Sequence, residues 1–205
     1  MVNGVPDPPE PFDGVMHTIT PGERFYRVAS NRRPVTSFNP GVGSPTRFAF
    51  FGDPVVPVLY AAETEQAAVS ETLLHDIPMT GGILVPDAYR DTVMARLRIT
   101  RPLRLAQLRG TGLRRLGVHA RELTDTDSSQ YPRTAKWAQA AHASGFDGLA
   151  WTSRMCNDSQ AIVLFGDRAA DAVELDPTFA RVFSGSPGLG WLIDMCAPLR
   201  VDVIP

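Results

Sequence analysis

Short β-type runs at unequal spacing, broken by only two stretches of helical period, constrain this chain more than any other feature of its sequence. Residues 25–28, 55–60, 92–100, 103–106, 146–151 and 161–165 read as strands, and residues 63–75 and 131–144 read as helices. Regular βαβ alternation would demand a doubly wound parallel sheet; this order has none, so the pattern points to an α+β fold. With 205 residues the chain has material for one domain, and 43% apolar residues supply a packed interior.

Local signals place the elements. Thr64 stands where it can cap the first helix, with Glu63 and Glu65 near the positive end of its dipole. Gly145 follows the second helix in the usual C-terminal position. In residues 92–100, Val93, Ala95, Leu97 and Ile99 alternate with Met94, Arg96 and Arg98, as expected of a half-buried strand. Residues 55–60 form a compact apolar run in which Pro57 hints at an edge or bulge. Residues 1–23, with five prolines, read as an irregular arm, and residues 30–46 as loop. Beyond residue 167 come a Gly/Ser/Pro loop at 184–190, an apolar stretch at 191–196 and a closing strand at 199–204.

Charge excludes some functions. Twenty basic residues against 22 acidic ones leave a net charge of −2, so no basic field advertises nucleic acid or an anionic membrane. The longest apolar run is too short to span a bilayer, and residues 1–10 lack the basic and apolar regions of a secretory signal. Cys156 and Cys196 make no disulfide framework, which fits a reducing cytosol, and the expected location is cytoplasmic. Lys136 is the only lysine among the basic residues, a skew that a GC-rich genome produces as readily as selection for anion-binding guanidinium groups.

The chain carries no GxxxxGK[ST], HExxH or GxSxG, and its four histidines form no metal-ligand pair with each other or with cysteine, so no metal is expected. Glu71 stands out. On a helical wheel it lies between Ala67 and Ala68 with Leu74 beyond, so its carboxylate leaves from a small apolar arc. Such a carboxylate needs a cationic or hydroxyl partner, or else it curls back to water at the edge of the face.

Arg27 on the first strand, Arg47-Phe48, the strand ending Val58-Leu59-Tyr60-Ala61-Ala62, the helix with Ala68 and Glu71-Thr72, and Trp151-Thr152-Ser153-Arg154 before Val163-Leu164-Phe165 occur in a recognisable order. Over residues 24–168 this set resembles the RES domain family, named for its Arg, Glu and Ser positions. Its members are toxins of toxin–antitoxin pairs that degrade NAD. The resemblance implies a single domain with an ADP-ribosyltransferase-like, split, mostly antiparallel β core and flanking helices. Residues 1–23 would then be an arm, and 169–205 an extension packed on the same domain.

It also implies roles. Arg27 would lie on the cleft floor and grip a phosphate or ribose group, with Arg47 as a second pyrophosphate contact; a guanidinium offers a permanently charged bidentate fork. Tyr60 would pack on the nicotinamide ring. Glu71 would be the catalytic carboxylate, stabilising oxocarbenium character as the nicotinamide–ribose bond breaks. Ser153 would line the cleft and bond substrate or the glutamate. Thr46 departs from the glycine usual before Arg-Phe, and Asn39-Pro40 precede that pair instead of following it.

The implied activity is NAD cleavage with water or inorganic phosphate as acceptor, depleting the cell's NAD and arresting growth, with NAD as substrate and no further cofactor. The implied partner is an Xre-type helix-turn-helix antitoxin that blocks the cleft, and a homodimer stays open. Two other readings stand beside it. One is ADP-ribosyl transfer to a macromolecule, against which Val69 counts, because transferases of this fold often carry an acidic or amide residue two places before the glutamate. The other is an NAD-binding or interaction module without catalysis.

Overall fold

The computed structural model describes residues 4–205. In chain order its elements are β1 (Met16–Ile19), β2 (Arg24–Ser30), β3 (Val58–Ala62), α1 (Glu65–Thr72), β4 (Gly82–Leu84), α2 (Pro86–Tyr89), β5 (Thr92–Ile99), β6 (Leu103–Leu108), α3 (Thr111–Arg115), α4 (Ala120–Leu123), α5 (Tyr131–Ala143), β7 (Gly148–Thr152), β8 (Gln160–Phe165), α6 (Gly166–Ala169), β9 (Val173–Val182), α7 (Gly188–Cys196) and β10 (Val201–Val203). Eight strands make one sheet in the order β1-β6-β7-β8-β3-β2-β5-β9, antiparallel throughout except where β6 meets β7. The fold is α+β, as the element order predicts, and its core is mostly antiparallel, as the resemblance implies.

The sheet divides near its middle. Strand β2 pairs with β5 along its whole length, from Arg24↔Arg98 to Ser30↔Thr92, and β3 with β8 from Val58↔Phe165 to Ala62↔Ala161. Yet β2 and β3 meet only at Tyr26↔Ala62. Away from that pair the two strands part, and the polar segment 39–47 enters the gap, pinned by backbone bonds between Asn39 and Val58. Unpaired strand backbone tolerates such a gap only where water or a ligand can reach it.

Each half packs against helices. Helix α5 buries Trp137, Ala138 and Ala141 in one cluster with Trp151, Val163 and Phe165. Helix α1 buries Ala67, Ala68 and Val69 with Phe183, Leu192 and Cys196. Thr64 caps α1 as its position predicts, accepting from Ala67 N at 3.2 Å, and Gly145 takes φ 88° after α5, a conformation that favours glycine.

Several expectations shift. Of the irregular arm expected at residues 1–23, residues 4–15 have no helix or strand but pack on the domain, residues 16–19 form a strand, and residues 1–3 lie outside the described part. Val5 and Phe12 are buried, Phe12 meets Trp137 and Phe146 edge-on, and β1 forms an edge of the sheet against β6. The strand expected at residues 55–60 starts at Val58, because Pro54 and Pro57 lack the N–H donors a strand needs. Residues 199–204 do not close the main sheet; β10 pairs with β4 in a separate parallel sheet. Strand β9 went unread because Asp176-Pro177-Thr178 breaks its alternation. There the register slips between Ala95↔Ala180 and Leu97↔Leu175, and Asp176 accepts from Arg24 and Arg96 at 3.1 and 2.9 Å.

Candidate active site

The gap between β2 and β3 opens into a cleft of about 440 Å³. Arg27 enters it from β2, Tyr60 from β3, Glu71 from the last turn of α1 and Arg47 from the crossing segment. Four of the five residues singled out in the sequence therefore share one cavity, although up to 44 positions separate them in the chain. The fifth, Ser153, is fully buried and stands behind the wall, not on it.

Arg27 is the least satisfied of them. Among the described residues its buried Nη1 has no hydrogen-bond partner, and no carboxylate forms an ion pair with it. Burial lowers its pKa to about 10, so the guanidinium still carries its charge at neutral pH. A buried, unpaired cation costs stability, and an anion entering the cleft would repay it.

Arg47 is also buried, but it is held. Its Nη1 donates to the carbonyl and to the hydroxyl of Thr126, both at 3.0 Å, and its guanidinium lies 5.5 Å from the centre of the Tyr131 ring. Thr134 Oγ1 donates to the Arg47 carbonyl, fixing the backbone as well. Held in this way, Arg47 still lines the cleft.

Tyr60 carries its hydroxyl inward, where it accepts from Thr46 Oγ1 at 2.9 Å and from Phe48 N at 3.2 Å. Burial pushes the phenol up to about 12, although both bonds and the nearby Arg47 pull the other way. Thr46 thus orients the tyrosine. The Tyr60 ring meets Trp151 edge-on at 6.1 Å, and Trp151 Nε1 is a second buried donor without a partner among the described residues.

Glu71 is fixed from its far side. Ser153 Oγ donates to Oε1 at 2.6 Å and Arg154 N donates to the same atom at 3.2 Å, while Cys156 N donates to Ser153 Oγ at 3.1 Å. The partner that the helical wheel demanded is thus a hydroxyl and a backbone N–H. The other end of α1 is tied to the same loop, through Thr64 Oγ1 and Ser159 Oγ at 2.9 Å. Both bonds fall on Oε1, and Glu71 lines the cleft.

Sequence reasoning gave Arg154 no role and did not single out Thr126. Arg154 also lines the cleft; its Nε pairs with Asp125 at 2.9 Å, and its Nη1 reaches Thr126 O at 3.4 Å. Adjacency to Ser153 was the only available signal for Arg154, and Thr126 had none. Among the described residues no three His, Cys, Asp or Glu side chains gather at a metal-binding spacing, and no helix is long and apolar enough to cross a membrane.

A search against curated proteins finds no match. Among solved structures, the chain is similar to one in the crystal structure of the M. tuberculosis MbcT-MbcA toxin-antitoxin complex. The TM-score is 0.57 at 15% identity, covering 80% of this chain and 85% of that one, a likeness of fold. The family model of the RES domain matches residues 24–184, which takes in β9 and runs past the boundary expected at residue 168. Its span includes all four cleft residues and Ser153, and the chain belongs to the RES domain family.

Proposed function

We propose that this chain is the toxin of a toxin–antitoxin pair and cleaves the nicotinamide–ribose bond of NAD. The observation that carries the reading is the shared cleft, in which the unpartnered cation of Arg27 and the held cation of Arg47 accompany a single anchored carboxylate, Glu71. Two guanidinium groups suit a diphosphate bridge, and a carboxylate suits the ribose beyond it.

In this reading the clamp on the diphosphate and the Tyr60 ring against the nicotinamide orient the dinucleotide. The bond from ribose C1′ to the pyridinium nitrogen breaks, its electron pair leaving with neutral nicotinamide. Positive charge develops on the ribose, and Glu71 offsets it through the ribose hydroxyls. Ser153 keeps the carboxylate on its rotamer. An oxygen of water, which gives up a proton, or of inorganic phosphate then bonds to C1′.

Small acceptors are favoured over a macromolecule by Val69, which is fully buried and leaves no polar group two places before Glu71 to orient a larger one. The proposed partner is a helix-turn-helix antitoxin that covers the cleft, in keeping with the toxin–antitoxin complex that shares this fold. Chromatography of NAD incubated with the protein, with and without inorganic phosphate, tests the reading. Free nicotinamide with ADP-ribose or its 1″-phosphate is expected; label transferred to protein or nucleic acid would overturn it.

A further inference from the structure

Arg154 and the turn 125–127 tie the carboxylate side of the cleft to its cationic side. At one end, Arg154 N donates to Glu71 Oε1 at 3.2 Å. At the other, its guanidinium pairs with Asp125 at 2.9 Å, lies 3.7 Å from Asp127 and donates to Thr126 O at 3.4 Å. That same carbonyl, with the Thr126 hydroxyl, accepts from Arg47 Nη1. One arginine therefore links Thr126, which holds Arg47, to Glu71 itself.

The energetics separate positioning from stability. The side chains of Arg154 and Asp125 are 39% and 52% exposed, and pairs in water of this kind add little to folding. Thr126 is buried, so where the turn sits decides where Arg47 sits. Asp125 does not line the cleft, and its carboxylate pairs with Arg154, which does.

We infer that Asp125 and Arg154 form a brace that sets the separation of Glu71 from Arg47, which makes Asp125 a positioning residue for the reaction. This rests on the reading of the cleft as an NAD site. A misplacement of about 1 Å costs up to about 100-fold in rate where reacting groups are held apart by such a scaffold.

The full chain is assayed for nicotinamide release from NAD and, separately, for equilibrium binding of ADP, which carries the diphosphate and needs no turnover. Asp125→Asn is expected to lower kcat about tenfold and to weaken ADP binding about threefold, with the melting temperature moving by less than about 2 °C. Asp125→Glu restores most of both losses. In an Arg154→Ala background, Asp125→Asn adds nothing further. Wild-type values for Asp125→Asn, or losses that add in the double variant, would overturn the brace. If the wild type leaves NAD intact, the NAD reading falls, and the ADP measurements still decide the brace. Absence of ADP binding by the wild type overturns both.

Discussion

Ser153 holds Glu71 from behind: its buried Oγ donates to Oε1 at 2.6 Å, and only the glutamate faces the cleft. A short bond to a carboxylate is of the charge-assisted kind, worth about 1.5–3 kcal/mol. Ser153→Ala is therefore expected to lower kcat about 10- to 100-fold and to change KM little, because the lost group orients the carboxylate and does not touch NAD. Steady-state kinetics check this; a change confined to KM would place Ser153 on the substrate.

Arg27 is retained at a cost. Arg27→Met removes a buried guanidinium with an unpartnered nitrogen and is expected to stabilise the fold by about 1–2 kcal/mol, or roughly 3–6 °C, while abolishing ADP binding. The pH dependence follows from its lowered pKa of about 10. Below that pH the folded state carries the charge and the full penalty; as pH rises through 10 toward the unfolded value, the native group loses its proton and the penalty fades. The advantage of the variant should be constant up to about pH 9 and shrink above 10 in melting experiments.

Tyr60 offers a spectroscopic reading of the same wall. With its phenol raised to about 12, ultraviolet titration should show one of the four tyrosines ionising about two pH units above the ordinary value. Because the folded group holds its proton longer than the unfolded one, the stabilisation it gives is complete below pH 10 and is lost as pH climbs toward 12. Tyr60→Phe should remove the late transition.

The segment before β2 is structural. Phe12 packs edge-on against Trp137 and Phe146, and Phe12→Ala is expected to destabilise by about 3–5 kcal/mol, read as a large drop in the thermal midpoint. A midpoint within about 1 °C of wild type would return these residues to the status of an arm.

Legibility in the sequence followed the range of the forces involved. Thr64 and Gly145 act on adjacent backbone, so their caps could be read directly. The amphipathic spacing around Glu71 foretold a partner for its carboxylate, but nothing local named Ser153, 82 positions away; the family pattern supplied it. Phe12 was hidden among prolines, since a single aromatic in an irregular segment has no period to betray burial. Strand β9 was hidden by its bulge, where Asp176 serves Arg24 and Arg96 on other strands. Arg154 and Thr126 matter through contacts that only the tertiary fold creates.

The most direct test of the account is the rate of nicotinamide release from NAD by the wild type and by Glu71→Gln, a variant that still accepts the Ser153 hydroxyl but carries no charge. Robust release by the wild type and a loss of about 100- to 1,000-fold or more in the variant are predicted. Equal rates in the two proteins, or intact NAD in both, would contradict it.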